Sequence, residues 1–368
     1  MNVAQLKHLL VALALILLLV PVNQAQSPVT QTSASGVLQT TNSSLPLIPE
    51  ADTVVYFSPQ KILNEVAPKV IQPSELAQMR AMFVDWKRSI GIDPASIEYV
   101  ALAFRFNKPA ADLNFVAPDV LAVASGDFSA DSLIALVGLY LQDNARTEQY
   151  ASKTITIMKI DPIAAEAAKN PLLKSFAELG VVALNTNTIA FGNLNYLKAA
   201  VDAAAGNGRI SSATVGSLLR DPNALISVAG SPLLAFAKSF GMLGTQTVAR
   251  ENRCESKFGD FYAAVTMEGT NFSLRGAMNA DNPDTAKIIN GLLAGVLQQA
   301  IDYVPEKETQ SVLKNLKVVP KENEITFEVD VPQATLASLI RNNATTPKKV
   351  SPPTTKPATR PKRRTRRP

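Results

Sequence analysis

Six times along the chain a short apolar, β-branched run ends in a small or polar residue and passes straight into a helical pattern. The six fall into two sets of three. The first set is Val54–Phe57 into Ser58-Pro59, Val120–Ala124 into Ser129-Ala130-Asp131, and Thr188–Phe191 into Asn193. The second is Leu225–Ala229 into Ser231-Pro232, Phe272–Met278 into Asn282-Pro283-Asp284, and Ile325–Val329 into Val331-Pro332. Runs of this length read as strands, and Ser, Asn or Asp before a helical period reads as an N-cap. Between the capped runs lie further strands. Ile97–Phe106 precedes Asp119–Ala124, and Phe261–Met267 precedes Phe272–Met278 across Glu268-Gly269-Thr270-Asn271, a hairpin signal because Gly tolerates positive φ. The order in each set is βα-ββα-ββα. We therefore expect an α+β fold of mainly antiparallel sheets with helices packed on one face, built by internal duplication.

The ends of the chain frame this body. Lys7, the apolar run Leu9–Val20, Pro21 and the small Ala25 have the layout of a secretory signal over residues 1–25. Residues 26–49 are rich in Ser, Thr and Gln and read as a flexible spacer. The halves are placed at 50–208 and 209–342, with an Ala-rich, helical insertion in the first from Asp161-Pro162 to Glu178. From 343 to 368 follows a basic, proline-interleaved tail without acids, expected to stay extended and solvated.

Charge is distributed unevenly between tail and body. The chain has 36 basic and 31 acidic side chains. Nine of the cations lie in the tail and one is Lys7, so the body keeps 26 against 31 and is near −5. The high pI thus describes an appendage, not a basic face on the fold.

Chemistry is limited by what the mature chain lacks. Its one histidine, His8, falls in the presumed signal, which excludes a Ser-His-acid triad, a Cys-His pair and any His-ligated metal site. Cys254 has no second cysteine to pair with, and lies among Arg250, Arg253 and Lys257 as a loop thiol without a partner base. Ser-x-x-Lys is the nucleophile pattern that survives without histidine, at Ser58/Lys61 and Ser311/Lys314. No Lys-Thr-Gly element accompanies it, and Ser58 before Pro59 equally describes a helix cap. Asp119, Asp127, Asp131, Asp281 and Asp284 sit at strand ends and helix starts, where a pair would serve acid–base chemistry or a cation, and where capping explains them more simply. No phosphate loop, dinucleotide fingerprint or EF-hand appears, and no cofactor or metal is implied.

The phrases Gly126-Asp127-Phe128-Ser129-Ala130-Asp131, Arg220-Asp221-Pro222-Asn223-Ala224-Leu225 and Met278-Asn279-Ala280-Asp281-Asn282-Pro283-Asp284 carry a resemblance. In them the chain resembles uncharacterised exported bacterial proteins of soil lineages such as the Acidobacteria, a family without known activity. The resemblance spans most of Pro49–Ile340 and implies export and a shared fold; it brings no catalytic or binding residue with it.

The sequence therefore leads us to expect a periplasmic or extracellular, non-catalytic binding or envelope-associated protein. Lys348, Lys349, Arg360, Lys362, Arg363, Arg364, Arg366 and Arg367 would hold an anionic envelope polymer by counterion release. The alternative is a His-free hydrolase or transferase using Ser58/Lys61 or paired carboxylates. The mature chain carries no apolar run long enough to span a membrane and no nucleic-acid motif.

Overall fold

A computed structural model describes residues 45–90, 93–105, 118–141, 145–159, 178–230, 258–304 and 307–344. The signal, most of the spacer, Cys254, the insertion up to residue 177 and all nine tail cations lie outside the described residues.

Twelve strands form one antiparallel sheet in the order β11-β12-β10-β9-β8-β1-β2-β3-β7-β6-β5-β4. They run β1 Thr53–Phe57, β2 Ile97–Arg105, β3 Asp119–Gly126, β4 Ala145–Tyr150, β5 Lys153–Lys159, β6 Glu178–Asn185, β7 Thr188–Asn193, β8 Ile226–Gly230, β9 Phe258–Glu268, β10 Asn271–Ala280, β11 Lys317–Lys321 and β12 Glu324–Pro332. The fold is α+β, and each strand–cap–helix junction whose helix is described forms where the Val/Ile-rich run meets its cap. Asn282 Oδ1 accepts from Thr285 N at 2.9 Å to start helix Pro283–Tyr303, with Pro283 in its first turn. Gly206 takes φ +107° after helix Leu194–Ala204, the positive φ of a C-cap glycine. In the β9–β10 hairpin Gly269 has φ +61°.

The two halves of the sheet meet at the pairing of β1 with β8, and Val55 opposite Val228 lies at the midpoint of that pairing. Read outward from there, the order is β1-β2-β3-β7-β6 on one side and β8-β9-β10-β12-β11 on the other. The registers correspond as well. Val54 faces Ala103 as Ser227 faces Ala264; Ala101 faces Val123 as Tyr262 faces Ala277; Val123 faces Ala190 as Ala277 faces Thr326. The first half adds the β4–β5 hairpin at its outer edge, at the place in chain order where the second half has the short helix Lys307–Lys314.

Helices pack on both faces, which corrects the expectation of a single helical face. Val54 joins the core beneath helix Leu194–Ala204, with Tyr196, Leu197 and Ala200. Its neighbour Val55 points to the opposite side and joins the core beneath helix Pro283–Tyr303, with Ala286, Ile289, Ile325 and Phe327. Successive strand residues face opposite ways, so a central strand buried at both positions must be covered twice. A smaller cluster joins Val66 and Val70, from the connection after β1, to Leu225 and Phe272 and to Leu336 of helix Gln333–Ala344. That connection starts as α-helix at Pro59–Lys61, widens to a π turn at Ile62–Val66 and resumes at Ala67–Val70. Pro68 supplies no amide hydrogen there and crowds the carbonyl four residues back, a local cause for the wide turn.

Candidate functional site

Strand β1 ends and its helix begins at Ser58, where the Ser-x-x-Lys pattern lies. Ser58 Oγ accepts from Lys61 N at 3.3 Å and donates to the Glu98 carbonyl at 2.6 Å. Lys61 Nζ donates to the Pro222 carbonyl at 3.2 Å, across the seam between the halves. Both groups are thus occupied with backbone, one capping a helix and one tying a loop. A serine nucleophile needs a base to take its proton, and the recorded partner of the Lys61 ammonium is a carbonyl. Ser58→Ala is expected to cost about 1 kcal/mol of stability in urea unfolding, and a serine-reactive probe is expected to leave Ser58 unlabelled.

Next to Ser58 lies a hydroxyl-lined stretch of the same face. Tyr56 and Tyr99 rings sit 5.6 Å apart. Thr188 Oγ1 donates to Ser125 Oγ at 3.0 Å, and Ser125 Oγ donates to the Asn187 carbonyl at 3.1 Å. Burial pushes the Tyr56 phenol up to about 12 and raises Tyr99 as well. Ser125 and Thr188 lie near enough to Tyr99 to oppose part of its shift, but its buried hydroxyl reaches neither in hydrogen-bond geometry. Phenols held protonated by burial serve packing and offer no base at neutral pH.

The carboxylates do not assemble. Asp119 is at the far end of β3, held by Arg105 Nη2 at 2.8 Å and Nε at 3.3 Å. Asp127 and Asp131 are exposed around the start of helix Ala130–Leu141, where Ser129 Oγ accepts from Ser132 N at 3.3 Å. Asp284 is exposed and pairs with Lys287 at 3.1 Å, one turn along its own helix. Asp281 is exposed just ahead of that helix. Ser311 and Lys314 are exposed on helix Lys307–Lys314, whose buried residue is Leu313. Among the described residues no three His, Cys, Asp or Glu side chains come together as a metal site would require.

Two polar groups went unread in the sequence. At the Arg105 end, the guanidinium lies 4.5 Å over the Tyr196 ring while also holding Asp119, and Tyr196 Oη donates to the Glu50 carbonyl at 3.0 Å. At the β4 edge, Lys198 Nζ approaches Glu148 to 2.5 Å and Tyr150 Oη donates to Asp202 at 2.9 Å. Arg105 is 14 residues from Asp119 and Lys198 is 50 residues from Glu148, so spacing carries no signal for either group. Both fasten strands to helix Leu194–Ala204.

No protein-family model and no curated protein matches the chain. Among solved structures it is similar to TP0453 in crystal form I, with a TM-score of 0.43, 11% identity, and coverage of 81% of this chain and 96% of that one. The crystal form III structure of TP0453 gives a TM-score of 0.42 and 10% identity over 81% of this chain and 97% of that one. No function passes to this chain from so distant a likeness.

Proposed function

We propose that the chain is an exported, non-catalytic binding or envelope-associated protein whose basic tail contacts an anionic surface. The observation that carries this reading is the segregation of charge: nine cations without an acid in the tail, against a body near −5. A solvated cationic tail gains affinity for polyanions by releasing their counterions, so its binding weakens as salt rises. The acidic body contributes repulsion and leaves the tail as the point of contact. Consistent with a non-catalytic role, Ser58 and Lys61 are both engaged with backbone atoms, and the candidate carboxylates are dispersed over a strand end and the starts of two helices. The same proposal includes descent from a duplicated βα-ββα-ββα unit, supported by the matching strand order and registers of the two halves. Retention on an anionic polymer column is the direct test, comparing the full chain with one lacking Thr345–Pro368. The full chain is expected to bind at low salt and elute early in a gradient, and the truncated chain to flow through. Equal retention of both at low salt would remove the tail from the proposal.

A further inference from the structure

We propose that strand β4 is a docking edge for a second copy of this chain, paired antiparallel about Thr147 to continue the sheet across a two-fold axis. The sheet has two outer strands, and they differ. β11 begins and ends in Lys317 and Lys321 and carries Pro320, which cannot donate to a neighbour. Those are the devices that keep an edge unpaired. β4, Ala-Arg-Thr-Glu-Gln-Tyr, has no proline, glycine or bulge. It pairs with β5 without interruption from Ala145 opposite Met158 to Tyr150 opposite Lys153, and among the described residues its outer side pairs with nothing. Arg146, Thr147 and Gln149 are exposed.

The charges of β4 are self-complementary in one register. With Thr147 facing Thr147 of the second copy, Arg146 faces Glu148 and Glu148 faces Arg146, on the same side of the sheet. Centring the pair on Arg146 or on Glu148 sets like charges against each other. Centring it between Thr147 and Glu148 leaves both charges opposite polar neutral residues. Glu148 is held in place by Lys198, so its carboxylate would be gripped from both sides while Arg146, already within 3.4 Å of Glu148 in its own strand, turns to the opposing one. The resulting interface is isologous, the commonest arrangement for two identical chains. A six-residue edge buries less than the roughly 1,200 Å² of a stable complex, so the dimer is expected to be concentration-dependent.

Sedimentation of the full chain over a wide concentration range, together with cysteine crosslinking in a Cys254→Ala background, tests this. Opposed Cα atoms across an antiparallel pair lie about 4.5–5.5 Å apart, within disulfide reach. Thr147→Cys should therefore give a disulfide-linked dimer. Gln149→Cys, also exposed on β4, places its two copies about 13 Å apart along the strands and should not. Arg146→Glu alone and Glu148→Arg alone should each abolish dimer, and the double exchange should restore it. Loss of the Lys198 contact is common to Glu148→Arg and the double variant, so recovery reports the interface and not the fold. A chain that sediments as a monomer throughout would overturn the proposal. So would Thr147→Cys crosslinking no better than Gln149→Cys, or a dimer indifferent to both charge exchanges, which would place contact on another face or another partner on this edge.

Discussion

Gly230→Ala is expected to lower stability by on the order of 3–4 kcal/mol, read as a fall in the urea midpoint with little change in slope. Gly230 closes β8 opposite Thr53 in the β1–β8 pairing, with φ +151°, a region that L side chains rarely adopt. A Cβ there would lie 2.0 Å from the Asp52 carbonyl oxygen and 2.7 Å from the Thr53 Cα, both backbone atoms of β1 or its approach. Neither can rotate aside, so the substitution must shift β1 against β8 where the two halves of the sheet join. The effect falls on five residue pairs that hold the halves in register and on Val55 and Val228, buried at the midpoint. Gly138 serves as the comparison. In helix Ala130–Leu141 a Cβ at that position meets nothing within 4 Å, so Gly138→Ala should gain about 0.5–1 kcal/mol. If the two substitutions behave alike, the seam is not the constraint that its geometry describes.

The contrast between these glycines shows what is legible in the chain and what is not. Strand–cap–helix junctions are local: Asn282, Pro283 and the Ile/Leu stripe that follows specify a helix wherever it is docked. The β4–β5 hairpin escaped reading because its turn, Ala151-Ser152, carries neither Gly nor Asn, and Ala151 adopts φ 50° against its own preference. Helices on both faces were legible in principle, since Val54 and Val55 are adjacent and both apolar, the mark of a strand covered twice. The role of Ser58 and Lys61 was beyond sequence. Their spacing fits a catalytic pair and a cap equally, and the partners that decide between these, the carbonyls of Glu98 and Pro222, lie 40 and 161 residues away. Strand order is hidden for the same reason, because the register of β1 on β8 depends on residues some 170 positions apart that no local pattern relates.

Tyr196 should prove the costliest side chain to remove from the first core. It is fully buried on the inner face of helix Leu194–Ala204, and its ring carries the Arg105 guanidinium on one face. Tyr196→Ala is expected to cost about 3–5 kcal/mol, from lost burial and the cavity left behind. Tyr196→Phe keeps the ring and the cation above it and loses only the hydrogen bond to Glu50, so it should cost about 1 kcal/mol at neutral pH. Raising the pH should then reverse the comparison. Burial holds the Tyr196 phenol well above its usual range, a shift that the nearby Arg105 charge opposes only in part. Above about pH 10 the unfolded chain releases this proton while the folded chain keeps it, so the unfolded state binds fewer protons and stability falls as pH rises. Phenylalanine has no proton to release. Urea unfolding at pH 7, 10 and 11 should show the wild type losing stability faster than Tyr196→Phe, the remaining slope coming from the other phenols with raised pKa, Tyr56, Tyr99, Tyr150 and Tyr262. Parallel pH curves for the two proteins would mean that the Tyr196 hydroxyl reaches solvent, and that the Glu50 contact does not hold it in the core.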